Sequence, residues 1–213
     1  MKYKYLFLSL IIIMIFYFII YIYIYIYIMN LVDLIDNTKS DKNTVHSYLD
    51  TYQNLFKNKK ETAKDVLEIG IYHGGSIKLW NDYFLNAKIH GIDIMNIDRI
   101  SSHIKNNDNI ILYTSTDAYN ENTFNEKFLN KKFDIIIEDG NHKLDSLKIF
   151  LKLYIKILKD DGILIIEDIQ EFDWIDKLKE IVPEELKKYI EIYDLRKNKD
   201  RYDDILFVIN KNI

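Results

Sequence analysis

From residue 62 onward the chain alternates short apolar runs with amphipathic stretches, the pattern of strands exchanging with helices. Strands are predicted over Asp65–Ile69, Lys88–Ile94, Asn109–Tyr113, Phe133–Ile137, Ile163–Ile166, Ile190–Leu195 and Ile205–Ile209. Helices are predicted over Ser76–Phe84, Asn120–Leu129, Leu144–Leu158 and Phe172–Ile181, with a further piece, Glu184–Lys188, broken off near Pro183. Runs such as Ile135-Ile136-Ile137 and Ile163-Leu164-Ile165-Ile166 suit strands covered on both faces. Before them, Val45, Tyr48, Leu49, Tyr52, Leu55 and Phe56 recur at three- and four-residue spacing, an amphipathic helix that Ser40-Asp41 can cap. Regular alternation predicts an α/β fold: a doubly wound, Rossmann-like, mostly parallel seven-stranded sheet with helices on both faces. The last two strands, joined by the polar turn Arg196 to Asp204, are expected to form an antiparallel hairpin at one edge.

The N-terminal segment has a different pattern. Leu6 to Met29 carries no charge and is long enough to span a bilayer as a helix. Lys2 and Lys4 before it favour a cytoplasmic N-terminus, and a small-residue cleavage site is lacking, so an anchor fits better than a removed signal. Yet Tyr21 to Ile28 is a strict Tyr-Ile alternation ending at Met29, which equally suits a spurious upstream extension with translation starting at Met29. The expected organisation is therefore a hydrophobic segment over 1–29, contacting a membrane through residues 6–29 if genuine, and one domain over 30–213. That domain is expected to be cytoplasmic, or soluble behind a membrane anchor.

Composition narrows the chemistry. With no cysteine in 213 residues, disulfides, thiolate zinc sites and a cysteine nucleophile are excluded. A net charge of -4 and a pI near 5.8 argue against a broad nucleic-acid surface. Oligomeric state is not written in the sequence.

In doubly wound sheets the ligand lies beyond the carboxyl ends of the strands. Those ends are acidic here: Glu68-x-Gly70, Gly91-Ile92-Asp93, Thr116-Asp117, Glu138-Asp139 and Glu167-Asp168. Single acids also cap the helices that follow strands, but five together point to a site. The turn Gly70-Ile71-Tyr72-His73-Gly74-Gly75-Ser76 opens a helix, whose N-terminus favours an anionic group. Asp93, about 20 residues beyond that turn, suits a carboxylate on both ribose hydroxyls. That spacing serves a dinucleotide or S-adenosylmethionine; the turn lacks the G-x-G-x-x-G of dinucleotide binders, which favours the latter. Asp139 and Asp168 end strands expected to be adjacent, and Glu138 and Glu167 offer further oxygens. Hard oxygen ligands without cysteine suit Mg²⁺ or a similar cation. His142, on the Gly140-Asn141 turn, is placed to act as general base toward a substrate hydroxyl, the alternative being an exposed loop histidine. His46, His73, His90 and His103 show no comparable setting and read as surface or structural, although His46 and His73 could approach the ligand.

Leu67-Glu68-Ile69-Gly70-Ile71-Tyr72-His73-Gly74-Gly75-Ser76 resembles the first motif of class I S-adenosylmethionine-dependent methyltransferases. The branch it most resembles comprises metal-dependent sugar O-methyltransferases of macrolides and related glycosides, together with cephalosporin-hydroxylase-like proteins. There an aromatic residue replaces the middle glycine, as Tyr72 does. Ser40-Asp41-Lys42 with His46-Ser47-Tyr48, Glu138-Asp139-Gly140-Asn141-His142 and Gly162-Ile163-Leu164-Ile165-Ile166-Glu167-Asp168-Ile169-Gln170 are similar to further motifs of that branch. The resemblance covers about Ser40 to Gln170. It implies cofactor contacts at Glu68, Gly70, Tyr72, Gly74, Ser76, Asp93 and Asp117, a metal on Asp139, Glu167 and Asp168, and His142 as base. The implied activity is Mg²⁺-dependent O-methylation of a small hydroxylated acceptor, a sugar or glycoside. A hydroxylase-like relative and a non-catalytic binding protein on the same scaffold are the rival readings. Glu138 stands where that branch usually has Asp, Asn141 where it often has Ser, and the antibiotic enzymes' extra domain has no counterpart here.

Overall fold

The computed structural model describes residues 11–21 and 28–212. Seven strands form one sheet: β1 (Asp65–Ile69), β2 (Lys88–Ile92), β3 (Ile110–Tyr113), β4 (Phe133–Glu138), β5 (Leu158–Ile166), β6 (Ile190–Asp194) and β7 (Ile205–Asn210). Their order is β3-β2-β1-β4-β5-β7-β6. Pairings from β3 to β5 are parallel, whereas β7 runs antiparallel to both β5 and β6. The expected hairpin is thus present, with β7 inserted on its inner side and β6 at the edge.

Successive residues of the central strands face opposite sides of the sheet. Val66, Ile135, Ile137, Ile163, Ile165, Leu206 and Val208 pack on one face with helices α1 (Leu49–Phe56) and α2 (Gly75–Tyr83). Leu67, Ile136, Leu164, Ile166, Phe207 and Ile209 pack on the other with α3 (Glu121–Lys127), α4 (Leu144–Tyr154) and α5 (Trp174–Lys179). Both faces are covered, so the strands read as continuous apolar runs.

Two expectations need correction. The amphipathic stripe before β1 makes a helix only from Leu49, and Ser40-Asp41 does not cap it. Instead the Asp41 carbonyl accepts from the backbone N–H groups of Thr44, Val45 and His46, closing tight turns. Residues 36–48 thereby form a non-helical strap lying over the strand ends. α4 stops at Tyr154, and β5 begins at Leu158, five residues earlier than its apolar run suggested. Among the described residues no helix is long and apolar enough to cross a membrane; the anchor expected over 6–29 lies partly outside them, at 6–10 and 22–27.

Candidate active site

The strand order reverses between β1 and β4, and there the chain turns carry the acids. The hydrogen-bond ladder continues past the strands: Gly70 N–H donates to Ile92 O at 2.9 Å, Asp139 N–H to Ile69 O at 2.9 Å and Glu167 N–H to Glu138 O at 3.0 Å. These bonds hold Gly70, Asp139 and Glu167 side by side. Because Glu138 is in register with Ile166, Asp139 lies level with Glu167, and Asp168 is one step beyond. Asp168 has a left-handed backbone (φ 53°), as do Tyr72 (φ 49°) and His142 (φ 50°). Such a conformation costs about 1–3 kcal/mol per non-glycine residue and gathers at functional sites.

Two cavities open side by side on this edge. One, of about 630 Å³, is lined by Gly70, Tyr72, His73, Ser76, Asp139, His142 and Asp168 and roofed by strap residues including Asp41 and Lys42. The other, of about 530 Å³, is lined by Gly70, Tyr72, Ile92, Asp93, Thr116, Asp117, Tyr119 and Asp139, among others. Gly70, Tyr72, Asp139 and Gly140 border both, so the two form one bent groove.

Asp93 sits at the floor of the second cavity. Its Oδ2 accepts from the N–H groups of Ile71 (2.8 Å) and Tyr72 (2.9 Å), and its Oδ1 from Met95 N–H (2.8 Å). A carboxylate has about four lone-pair positions, which leaves capacity for a ligand while the acid braces the glycine turn. Asp117 Oδ1 accepts from Tyr119 N–H at 2.9 Å and is exposed at the same cavity.

Two assigned residues are placed differently. Glu68 is fully buried and borders neither cavity. Its Oε2 accepts from the Ser76 hydroxyl at 2.8 Å and Trp80 Nε1 at 3.1 Å, anchoring α2 under the turn, while its Oε1 has no hydrogen-bond partner and lies 3.6 Å from Lys42 Nζ. Burial raises its pKa to about 7 against the pull of Lys42. Gly74 (φ 86°) shapes the turn without lining either cavity.

The acidic centre contains a cation that local pattern did not reveal. Lys42 is 1% exposed, and its Nζ lies 2.6 Å from Asp139 Oδ2 and 2.7 and 2.6 Å from the two Glu167 oxygens. Burial works against its charge, but Asp139, Glu167 and Glu68 hold its pKa well above the usual lysine range. Tyr52 donates to Glu167, and Tyr48 donates to Asp168 Oδ1 at 2.5 Å. Behind Asp168, His46 Nδ1 lies 2.5 Å from Asp204 Oδ1 and 3.4 Å from Asp168 Oδ1. Burial, then the Asp139 charge, raises the pKa of both Glu167 and Asp168, and burial raises that of Glu138 to about 8. Glu138 Oε1 accepts from the Tyr119 hydroxyl and Gly140 N–H, its Oε2 is buried without a hydrogen-bond partner, and the residue lines neither cavity.

His142 closes the arrangement. Its Nε2 is 3.5 Å from Asp168 Oδ2 and 3.8 Å from Asp139 Oδ1, and all three side chains border the first cavity. Their ligand atoms lie within 4.8 Å of one another. Clustered acids are raised in pKa by mutual repulsion, and the oxygen-rich, partly open trio has the donor chemistry of a divalent-cation site. Glu167 stands outside that trio but forms a second such group with Glu68 and Asp139, their ligand atoms also within 4.8 Å of one another and Lys42 Nζ beside them. His73 reaches the first cavity and bonds the Arg99 carbonyl at 3.2 Å; His46 is buried behind Asp168.

A family model described as a methyltransferase domain matches residues 67–169, the span from β1 to the turn after β5. Over that span the chain is similar to methyltransferase domains. Curated relatives include the mycinamicin VI 2''-O-methyltransferase of Micromonospora griseorubida, 26% identical over 139 residues, covering 61% of this chain and 33% of the relative. The L-olivosyl-oleandolide 3-O-methyltransferase of Streptomyces antibioticus is 26% identical over 133 residues, covering 58% and 33%. The chain thus spans about a third of the length of these relatives. Among solved structures, the MycE methyltransferase of the mycinamycin pathway, in complex with Mg and SAH, superposes with a TM-score of 0.65 at 19% identity, covering 85% of this chain and 55% of that one. An archaeal fibrillarin from Methanococcus jannaschii gives a TM-score of 0.53 at 20% identity, covering 73% and 70%. The chain therefore has the fold of these methyltransferases and resembles the macrolide sugar O-methyltransferases in sequence.

Proposed function

We propose that this chain is an S-adenosylmethionine-dependent, divalent-cation-dependent O-methyltransferase acting on a hydroxyl of a sugar or glycoside. The observation that carries the reading is the open Asp139–His142–Asp168 trio at the bend between two joined cavities. The second cavity, with Asp93 and Asp117, suits the adenosine half of the cofactor; the shared Gly70–Tyr72 turn suits its reacting end. The first cavity suits the acceptor. When bound, the cofactor supplies an electrophilic methyl on sulfur, and a cation such as Mg²⁺ polarises the acceptor hydroxyl.

The protein's own residues do the rest. Asp139 Oδ1 and Asp168 Oδ2 are the oxygens that would hold the cation. His142 Nε2, 3.8 Å from Asp139 Oδ1 and 3.5 Å from Asp168 Oδ2, would accept the proton of the acceptor hydroxyl as that oxygen is methylated. The strap from residue 36 to 48 limits water and fixes the approach of the acceptor. Positioning of this kind is worth about 7–11 kcal/mol of barrier. The domain is read as cytoplasmic, its partner a small hydroxylated molecule.

Titration calorimetry with S-adenosylmethionine, with and without Mg²⁺, followed by a screen of glycosides for products about 14 mass units heavier, tests the reading. A product about 16 units heavier would instead mean oxygen insertion, and no cofactor heat at all would indicate a binding protein. Asp93→Ala is expected to weaken cofactor affinity at least about tenfold, or 1.4 kcal/mol, since both the ribose acceptor and the turn's brace are lost. Unaltered affinity would undo the ribose assignment. His142→Ala is expected to lower kcat by about 10²–10⁴-fold, the range of a general base, with cofactor Kd nearly unchanged. Full activity would leave His142 a bystander.

A further inference from the structure

Resting on the sugar-methylation reading above, we propose that the acceptor is a hydrophilic saccharide, free or at the end of a glycan. It stacks one ring face on Tyr72 and brings no large apolar aglycone into the first cavity.

The first cavity, of about 630 Å³, is of the size that holds a small ligand. Its strap side is polar: Asn37, Thr38, Ser40, Asp41 and Thr44 all line it. The bonds these residues make within the protein leave capacity over. Asn37 Oδ1 accepts from Asn43 Nδ2 at 3.1 Å, and the Asn37 amide keeps its two N–H donors. Thr38 Oγ1 donates to Asp36 Oδ1 at 2.7 Å and keeps its lone pairs. Ser40 Oγ accepts a long bond from Lys42 N–H at 3.5 Å and keeps its O–H. A ligand that strips water from such groups must replace the lost bonds, because a buried donor or acceptor left unmade costs more than a made bond returns. A saccharide offers a hydroxyl, both donor and acceptor, on nearly every ring carbon. An alkyl or macrocyclic surface offers none.

Tyr72 supplies the complement. Among the described residues lining this cavity it is the one large apolar side chain with an exposed surface, 61%. Its backbone is left-handed and Asp93 Oδ2 accepts its N–H at 2.9 Å, so a braced turn presents the ring. The ring packs against His73, centroids 4.0 Å apart, on the same cavity wall. One flat, electron-rich face among polar groups matches a pyranose, whose C–H bonds make a single apolar patch amid hydroxyls. Tyr72 and Asp139 border both cavities, so a sugar stacked there lies at the bend, with a hydroxyl beside the Asp139–His142–Asp168 trio.

The test is methyl transfer by the full chain from radiolabelled S-adenosylmethionine, with Mg²⁺, to two matched series: methyl glycosides of common hexoses and deoxyhexoses, and hexyl glycosides of the same sugars. A site for an apolar aglycone would favour the hexyl series about a hundredfold or more in kcat/KM, given the gain per buried methylene. The expected preference is less than about tenfold. At saturating cofactor, Tyr72→Ala is expected to raise the methyl-glycoside KM about tenfold and Tyr72→Phe to stay close to the parent, the ring being what is used. Thr44→Val, which exchanges a hydroxyl for a methyl group, is expected to lower kcat/KM for the methyl series about three- to tenfold and to move the preference toward the hexyl series. A change of preference is not what a purely structural threonine would yield. A hexyl preference of tenfold or more in the parent, or an unaltered acceptor KM in Tyr72→Ala, would overturn the proposal while leaving sugar methylation intact. Cofactor binding without transfer to either series would overturn the sugar reading itself, and this proposal with it.

Discussion

Exchanging Asp168 for asparagine is expected to reduce turnover by at least about 10³-fold, roughly 4 kcal/mol in transition-state free energy, while cofactor affinity falls less than about threefold. Asp168 contributes the outward Oδ2 beside His142. The amide keeps the size of the side chain and an oxygen toward Tyr48, so packing is largely spared. It loses the negative charge that holds a cation and faces the protonated His142. Cofactor binding should survive, since Asp168 borders the first cavity and not the one containing Asp93 and Asp117. Steady-state kinetics with calorimetry separates the two effects. Turnover within tenfold of the parent, or unchanged activity in excess EDTA, would remove the cation from the reaction.

Asp168 and His142 were legible in the sequence because strand ends and the turns after them are local features. The apolar runs Ile135-Ile136-Ile137 and Ile163–Ile166 locate β4 and β5, and whatever follows them must lie at the same sheet edge. Lys42 was not legible in that way. Its partners are 97 and 125 residues away, and a lysine in a polar stretch looks like any solvated charge. Tyr48 and Tyr52 were visible as part of an apolar stripe, where their rings do pack, but nothing local showed that their hydroxyls reach Asp168 and Glu167. The helix was drawn too early because Val45 has the right spacing although it is largely exposed. Glu68 misled in the opposite sense. A motif position associated with the cofactor is filled here by a buried acid whose Oε2 is bound by Ser76 and Trp80 and whose Oε1 has no hydrogen-bond partner.

Substituting alanine for Gly70 is expected to destabilise the fold by at least about 3 kcal/mol, equivalent to a fall in Tm of about 6–12 °C for a chain of this size. The position lies at φ 94°, outside the range that L residues adopt readily. A Cβ there would stand 1.9 Å from the Asp139 carbonyl oxygen and 2.7 Å from its carbon, so backbone and not a flexible side chain would have to give way. That close approach exists because Asp139 N–H donates to Ile69 O, the carbonyl just before Gly70. Pushing the two turns apart would break the ladder exactly where both cavities share a wall, so the variant that does fold should also bind the cofactor more weakly. Thermal unfolding followed by circular dichroism measures the first effect and calorimetry the second. A Tm within 2 °C of the parent would mean that the turn is looser than its packing shows. If stability fell while cofactor affinity held, the glycine would serve the fold alone, and the groove would not depend on the contact between β1 and β4 that brings Asp139 to it.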